Sequence, residues 1–261
     1  MTGERRFDGK AAIVTGAGMG IGAAVSEALA AEGAFVTLFD RDARAATSVA
    51  ERIRASGGEV IVVEGSVASA ADAQHAVRAC VEHFGSVDHL VNNAGLMMYG
   101  ELPEFSEKDW DTLMGVNLKG QFLMVKYAIP AMRERGGGSI VNIASVQALA
   151  SQRRVAAYAA SKAGIVSLTR SVALDHAHEA IRVNCVLPGS VRTPMLESAA
   201  RLLPGDPEEI IAGWGRQHPR GTVSMPEEIA RIVLFLLSDE ASAMTGAVCT
   251  ADGGLSAQLA L

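Results

Sequence analysis

The chain has 261 residues, of which 49% are hydrophobic and 20% are charged, and its formal net charge is −6. This is enough apolar material for one α/β sheet covered by helices, and the acidic balance provides no broad basic surface, so we expect no nucleic-acid partner. No apolar run approaches the roughly 18 residues that span a bilayer, and 1–10 is polar, so we expect no membrane anchor and a cytoplasmic protein. The three cysteines show no C-x-x-C pattern, which favours reduced thiols and no metal site; they are Cys80, Cys185 and Cys249.

Short β-branched runs alternate with longer Ala-rich helical patterns along the whole chain. This alternation is typical of repeated βα units and a parallel sheet. The predicted fold class is therefore α/β, with one doubly wound parallel sheet of about seven strands and helices on both faces. The predicted strands are 11–15, 35–39, 60–64, 89–92, 139–143, 182–187 and 247–250.

Capping residues indicate where several helices begin. Ser69, Ser106 and Ser224 are each followed three positions later by an acidic residue, which is a pattern of helix N-termini. Long apolar helices are predicted over 110–131 and 156–177. The connection after the sixth strand departs from this regular spacing, because about 35 residues precede the next core helix. Such a connection is typical of a functional lid, which we place at about 190–223.

The first predicted strand runs into a glycine-rich turn from Thr15 to Gly22, which is followed by an Ala-rich helix. Glycines in such a turn let the backbone approach a pyrophosphate, which binds at the positive end of the helix. A plain tight turn is the alternative when the loop is considered alone. Its place between a strand and a helix favours a dinucleotide site.

Asp40 lies at the end of the second predicted strand. An acid at this place accepts hydrogen bonds from the ribose hydroxyls of NAD and repels the 2′-phosphate of NADP. The glycine loop contains no Lys or Arg to neutralise that phosphate, so NAD is the expected cofactor and NADP the less favoured one. Arg41 keeps NADP open, since a guanidinium can bind a phosphate. A helix cap is the structural alternative for Asp40.

Tyr158 and Lys162 are four residues apart in a segment of strong helix formers, so they share one helix face. Lowering the pKa of a phenol from about 10 to about 7 requires roughly 4 kcal/mol, and a unit positive charge about 4 Å away at an effective dielectric near 20 provides about that much. We therefore expect Lys162, helped by the positive nicotinamide of the oxidised cofactor, to lower the pKa of Tyr158, which would make the phenol a proton carrier near neutral pH. For the pair alone, a solvated helix face is the alternative.

Further elements fall at the carboxyl ends of the predicted strands, where open α/β sheets bind their ligands. The fourth strand ends in Asn92-Asn93-Ala94-Gly95, the fifth in Ala144-Ser145, and the sixth in Pro188-Gly189. A structural turn explains any one of these elements, but not their coincidence with the glycine loop and Asp40. The sequence therefore predicts one ligand site along this rim.

Together with Asn117, and with Ser145 placed 13 residues before Tyr158, these motifs resemble the classical short-chain dehydrogenase/reductase family over nearly the whole chain. The resemblance implies a Rossmann-type fold, one dinucleotide-binding catalytic domain over 1–261 and a homotetramer. It also implies that Tyr158 is the general acid and base, that Lys162 binds the nicotinamide ribose, that Ser145 holds the substrate oxygen, and that Asn117 anchors a water of the proton relay. The implied cofactor contacts are Gly16, Gly18, Met19, Gly20, Ile21, Asp40, Arg41, Ser66, Val67, Asn93, Ala94, Gly95, Tyr158, Lys162, Pro188, Gly189, Val191 and Thr193.

One position departs from the family pattern. The third strand usually ends in an Asp that contacts adenine, whereas this chain has Ser66-Val67. A serine hydroxyl can still hydrogen-bond adenine, so Ser66 stays among the expected contacts.

The residues that would contact the substrate favour two different kinds of substrate. Met97 follows the Asn-Asn-Ala-Gly turn, and Met195 and Trp214 lie in the predicted lid. They favour an apolar pocket, with a place in the core as the alternative. Gln147 and Arg154, between Ser145 and Tyr158, favour a substrate with hydroxyls or a carboxylate, with an exposed loop as the alternative.

The sequence thus predicts an NAD-dependent oxidoreductase that interconverts a secondary alcohol and a ketone, with a sugar or a small cyclic alcohol as substrate. An NADPH-dependent 3-oxoacyl carrier-protein reductase is an alternative on the same scaffold. A catalytically silent NAD-sensing protein of the same fold is an alternative from another class, although the Ser-Tyr-Lys-Asn set is complete here.

Overall fold

Seven parallel strands form one sheet in the order β3-β2-β1-β4-β5-β6-β7 in a computed structural model that describes residues 5–258. The order reverses between β1 and β4, which makes the sheet doubly wound. Each predicted strand is present, and its ends agree with the prediction to within one residue. The strands are β1 Ala11–Thr15, β2 Phe35–Asp40, β3 Val60–Glu64, β4 His89–Asn92, β5 Gly138–Ile143, β6 Ile181–Pro188 and β7 Val248–Ala251.

Helices cover both faces of this sheet. One layer contains α1, α2 and α9, and the other contains α3, α5 and α6. In β1, Ala12 and Val14 pack in the first layer and Ala11 and Ile13 in the second, because successive side chains point to opposite faces. The helices are α1 Gly20–Ala31, α2 Ala43–Ala55, α3 Ala70–Phe84, α4 Glu107–Met114, α5 Gly120–Arg135, α6 Ala156–His176, α7 Pro194–Arg201, α8 Pro207–Gln217 and α9 Pro226–Leu237.

Two of the three predicted helix caps are confirmed. Ser69 and Ser106 accept hydrogen bonds from backbone N–H groups three residues later, at the starts of α3 and α4. The prediction for Ser224 is wrong, since α9 begins at Pro226 and its start is capped by the carboxylate of Glu228. The backbone of Ser224 is instead engaged in a β-bridge to the segment that follows β6.

The long helix predicted over 110–131 is divided by an irregular turn. A π-helical turn, Gly115–Lys119, joins α4 to α5, and Asn117 is buried within it. Such turns place one extra residue in a helix and occur frequently at functional sites. The sequence pattern predicts the helix but not the turn that orients Asn117.

The connection between β6 and α9 contains α7 and α8 and lies at the carboxyl rim of the sheet. A bridge between Val191 and Ser224 ties its two ends together. Within residues 5–258, no helix combines the length and the apolar character needed to cross a membrane.

Candidate active site

The glycine loop between β1 and α1 has little room for side chains. Gly16 and Gly20 have φ angles of 62° and 54°, and a Cβ atom on Gly22 would lie 2.1 Å from the carbonyl oxygen of Gly16. Met19 precedes α1 and gives its first turn no side-chain cap. The N–H groups of that turn therefore have no side-chain acceptor from the cap residue, an arrangement that fits a phosphate group at the helix start.

Asp40 holds the glycine loop from the end of β2. Its carboxylate accepts hydrogen bonds from the backbone N–H groups of Gly18, at 2.8 Å, and Asp42, at 2.9 Å. The cap of α2 is Asp42, so the helix-cap alternative for Asp40 is wrong. A carboxylate offers about four lone-pair sites, so lone pairs of Asp40 remain for ribose hydroxyls. Arg41 is exposed beside it.

Thr15 and Asn93 connect the glycine loop to the end of β4. The Asn93 amide donates to the carbonyl oxygens of Thr15 and Gly16, and the Thr15 hydroxyl accepts from the backbone N–H groups of Asn93 and Ala94, all at 3.0 Å. Thr15 belongs to the predicted glycine-rich turn, but the sequence pattern assigns its side chain no role. The signal was a hydroxyl residue at the end of a strand, directly before the loop.

Ser66 and Val67, which follow β3, have different surroundings. The Ser66 backbone N–H donates to Asp72 at 2.9 Å, and its hydroxyl accepts from Ala68 at 3.3 Å. Val67 is buried and packs against α5, where a Cβ atom on Gly120 would lie 2.8 Å from it. Ser66 is therefore at the rim, whereas the Val67 side chain is part of the core.

The residues after β6 cross the glycine loop. Gly189 continues the strand direction after Pro188, and Val191 is buried. Thr193 caps α7, and its methyl group would lie 3.0 Å from a Cβ atom on Gly20. The structure thus brings together the predicted cofactor contacts on both sides of the loop.

Asn117 is fixed by three hydrogen bonds. Its amide group exchanges bonds of 2.9 and 3.0 Å with the backbone of Leu96, and it also donates to the hydroxyl of Ser161 at 3.1 Å. The turn after β4 thereby contacts the helix that carries Tyr158. A Cβ atom on Gly95 would lie 3.5 Å from both the Asn117 amide oxygen and the Lys162 ammonium.

Lys162 and Tyr158 are adjacent and buried. The Lys162 ammonium lies 5.4 Å from the centre of the Tyr158 ring and donates a hydrogen bond of 3.1 Å to the carbonyl oxygen of Ile143, at the end of β5. Burial lowers the pKa of Lys162 to about 8, against an opposing effect of the Cys185 thiol. The charged form is disfavoured because little water surrounds it.

The protein residues alone do not lower the pKa of Tyr158. Burial raises the pKa of Tyr158 to about 12; Ser145 acts in the lowering direction and Tyr99 in the raising direction. The Lys162 ammonium lies beside the ring and is bonded to the carbonyl of Ile143, so desolvation outweighs its attraction for the phenolate. Any proton transfer by Tyr158 therefore requires further stabilisation of the phenolate.

Ser145 begins the short turn Val146–Ala148 after β5. Its hydroxyl accepts a hydrogen bond of 3.2 Å from the backbone N–H of Gln147. It also forms a hydrogen bond with the Tyr158 phenol that acts to lower the pKa of the phenol. The side-chain oxygen of Gln147 is buried and has no hydrogen-bond partner among the described residues. The structure therefore brings together Ser145 and Tyr158, and the backbone of Gln147, an expected substrate contact, bonds to Ser145.

Tyr99 is a site residue that sequence reasoning missed. Its phenol interacts with the side chain of Gln152 and influences the pKa of Tyr158. The backbone N–H of Gly100 donates to the carbonyl of Arg154 at 2.9 Å, which joins the loop after β4 to the loop before α6. The Arg154 side chain is exposed, in agreement with the exposed-loop alternative.

The predicted apolar contacts differ in their surroundings. Met97 packs in a cluster with Leu113 and Tyr158, so it belongs to the wall next to the phenol. Met195 on α7 is 41% exposed, and Trp214 on α8 is half-buried. No group of His, Cys, Asp or Glu in residues 5–258 has the arrangement of a metal site.

Comparison with known proteins agrees with this geometry. Residues 16–256 match a family model described as enoyl-(acyl carrier protein) reductase. The chain is 36% identical to cyclohexanol dehydrogenase from an Acinetobacter species, covering 96% of both chains. It is 38% identical to 3-oxoacyl-acyl-carrier-protein reductase from Thermotoga maritima, covering 96% of this chain and 99% of the relative. The crystal structure of levodione reductase superposes with a TM-score of 0.94 at 34% identity, covering 97% of this chain and 100% of that one.

The chain belongs to the short-chain dehydrogenase/reductase family. It is an oxidoreductase that acts on CH–OH groups of small molecules with a nicotinamide cofactor. The Rossmann-type fold predicted from the sequence is confirmed.

Proposed function

We propose that this enzyme interconverts secondary alcohols and ketones with NAD, and that its substrate is a small cyclic alcohol or a sugar. The observation that carries the proposal is the clustering of Ser145, Tyr158, Lys162 and Asn117 beside the glycine loop. Ser145 follows the end of β5, Tyr158 and Lys162 lie on α6, and Asn117 lies in the π-helical turn. The names of the relatives support oxidation of a ring alcohol, since one of them is a cyclohexanol dehydrogenase.

The residues present fit a dinucleotide. The open N–H groups of α1 would hold the pyrophosphate, and Asp40 would accept hydrogen bonds from the adenosine ribose. When bound, the nicotinamide supplies the acceptor or donor of a hydride. The carboxylate of Asp40 would also repel a 2′-phosphate, which supports NAD over NADP, whereas the neighbouring Arg41 would favour the phosphate.

Tyr158 would accept the hydroxyl proton when the alcohol is oxidised and return it when the ketone is reduced. Ser145 would hold the substrate oxygen next to the phenol. Lys162 would bind the nicotinamide ribose and stabilise the phenolate, which must become more favourable than it is from the protein residues alone. Asn117, held by Leu96 and Ser161, would anchor a water that passes the proton on.

The substrate pocket would have an apolar part and a polar part. Met97 next to Tyr158, with Met195 and Trp214 from the connection 190–223, would contact the ring carbons. Gln147 would contact an additional polar group of the substrate. We propose that the connection 190–223 closes over the substrate as a lid, supported by the contact between Thr193 and the glycine loop.

We propose that the enzyme is a cytoplasmic homotetramer. Apolar side chains exposed on α5 and α6 support an interface there, since Phe122 is 46% and Leu174 81% exposed. Sedimentation equilibrium would report the mass of the assembly. A monomer at all concentrations would contradict the tetramer.

The test of the function is a panel of cyclohexanol, cyclohexane-1,2-diol and aldohexoses, assayed with NAD and with NADP at about 340 nm, the band of the reduced nicotinamide. We expect turnover of at least one ring alcohol and a kcat/KM at least about 100-fold higher with NAD, because Asp40 would repel the 2′-phosphate. A clear preference for NADP would contradict the proposed role of Asp40. No absorbance change with any alcohol or ketone would favour the nucleotide-sensing alternative.

The second candidate is a 3-oxoacyl carrier-protein reductase, favoured by the 38% identity with such an enzyme. Its test is reduction of a 3-oxoacyl thioester with NADPH and with NADH. A kcat/KM for the thioester above that for every ring ketone would replace the proposed substrate class.

A further inference from the structure

Gln121 is a buried polar residue next to the site that neither the motifs nor the proposed mechanism uses. It is the second residue of α5, directly after the turn that holds Asn117, and it is 2% exposed. Its amide nitrogen lies 3.3 Å from the carbonyl oxygens of Asn92 and Ile143. The side chain therefore joins the carboxyl ends of β4 and β5.

The carbonyl of Ile143 is shared by two donors. It accepts from the Lys162 ammonium at 3.1 Å and from the Gln121 amide at 3.3 Å. A carbonyl oxygen has two lone pairs, so both bonds can form at once. Gln121 occupies one direction of approach and leaves the other to the ammonium. Lys162 on α6 and Gln121 on α5 thus meet at the carboxyl end of β5.

Packing alone does not explain an amide at this position. The side-chain oxygen of Gln121 is buried and has no partner among the described residues, and the same is true of the Asn92 side-chain oxygen. Burying such an oxygen costs free energy, whereas an unbranched apolar side chain of the same length would fill the space without this cost. The amide nitrogen is the part of Gln121 that makes specific contacts.

We propose that Gln121 is a positioning residue for Lys162, and that it holds the ammonium where it acts on the Tyr158 phenol by fixing the carbonyl of Ile143. This inference rests on the proposed function of Lys162. Among the described titratable groups, Tyr99 after β4 shifts the pKa of Tyr158, and Cys185 on β6 shifts the pKa of Lys162. Gln121 carries no charge, so replacing it with another uncharged residue removes no charge from this site.

The test is the variant Gln121→Met, which keeps the length of the side chain and removes its amide. We expect kcat for alcohol oxidation to fall about tenfold with KM for the alcohol within about twofold, because a displaced ammonium stabilises the transition state less well. The midpoint of the pH profile of kcat should move to higher pH, since the phenolate of Tyr158 loses part of its stabilisation.

The control is Asn184→Leu, which removes another buried amide. Within the described residues, the Asn184 side chain bonds to the backbone of Met244 and Ala247 and not to the carbonyl of Ile143. We expect it to lower Tm while leaving kcat and the pH midpoint unchanged. A Gln121→Met protein that loses stability but keeps the wild-type kcat and pH midpoint would overturn the proposal.

Crystal structures of the wild type and Gln121→Met separate this inference from the proposed function. We expect the Lys162 ammonium to leave its 3.1 Å contact with Ile143 in the variant. An unchanged contact would overturn the positioning role, even if the wild type oxidises alcohols. A displaced ammonium in the variant, together with a wild type that turns over none of the alcohols or ketones, would support the positioning role of Gln121 and reject the proposed function.

Discussion

The two edges of the sheet both bury ionisable groups, but they satisfy them differently. At the amino edge, the carboxylate of Asp88 accepts from the backbone of Ala11 and from Ser86 and faces the cations of Lys10 and Arg135. At the carboxyl edge, the Lys162 ammonium has three donors but makes one hydrogen bond to the described residues, and the Tyr158 phenol has its pKa raised to about 12. The carboxylate of Asp88 is satisfied by protein groups, whereas the carboxyl edge leaves groups available for ligands.

Arg182 extends the contrast. This residue lies near the amino end of β6. Its guanidinium donates to four backbone carbonyl groups, which lie at the C-terminus of α9 and in the segment before β7. Such bonds stabilise helix C-termini, and here they use four of the five N–H donors of the guanidinium. We therefore expect substitutions at the amino edge to change stability, and substitutions at the carboxyl edge to change turnover.

The largest expected effect is that of Lys162→Met. We expect kcat to fall about 1000-fold, because the phenolate of Tyr158 and the cofactor ribose lose the ammonium. The free energy of unfolding should rise by about 1 kcal/mol, since the folded state no longer buries a charge whose pKa burial lowers to about 8. Gln121 still donates to the carbonyl that Lys162 leaves. Enzyme assays and urea unfolding give both quantities; a marked loss of stability would contradict the contrast between the edges.

The next effect is that of Asp88→Asn at the amino edge. Burial alone would raise the pKa of Asp88, but the hydrogen bonds from Ala11 and Ser86 and the charge of Lys10 outweigh it and lower the pKa. The ionised carboxylate thus stabilises the fold above its unfolded pKa, and this contribution is lost as the pH falls through the folded pKa. Asp88→Asn should lower the free energy of unfolding at pH 7 by about 3 kcal/mol while the folded enzyme keeps its kcat. A tenfold loss of kcat would place Asp88 in the catalytic machinery.

The smallest effect concerns pH. His89 is buried against Phe7, and burial lowers its pKa to about 4. Between about pH 6.5 and pH 4, the unfolded state binds a proton at His89 more readily than the folded state does. The free energy of unfolding therefore falls as the pH falls through this window. In His89→Leu, the loss of unfolding free energy between about pH 6.5 and 4 should be smaller by about 2 kcal/mol. Urea unfolding at both pH values tests this, and identical losses in the two proteins would assign the acid sensitivity to other groups.

Much of the fold follows from local sequence patterns. The central strands were predictable because they are buried on both faces and are therefore largely apolar runs, and the partly exposed edge strands β3 and β7 still show β-branched residues. The true start of α9 was not predictable, because Pro226 and Glu228 provide a competing helix start two residues after Ser224. The π-helical turn at Asn117 depends on tertiary contacts with Leu96 and Ser161, which no local pattern records.

The candidate site was predictable in its residues but not in its electrostatics. Asp40, Ser145 and Tyr158 lie at the rim that the strand ends define. The direction of the Tyr158 pKa depends on burial and on where the Lys162 ammonium is bonded, and spacing along a helix gives neither quantity. Backbone carbonyls such as that of Ile143 are likewise invisible to a motif, although this one holds both Lys162 and Gln121.

The most direct test of the proposed chemistry is Tyr158→Phe, which removes one oxygen atom and keeps the ring in its cluster with Met97 and Leu113. Turnover of a ring alcohol would be followed at about 340 nm, and NAD binding by isothermal titration calorimetry. We expect kcat to fall at least about 1000-fold while the Kd for NAD stays within about threefold, because the phenol would carry the proton without being needed to hold the cofactor. A Phe variant that keeps a tenth or more of the wild-type kcat would contradict the assignment of Tyr158 as the acid and base.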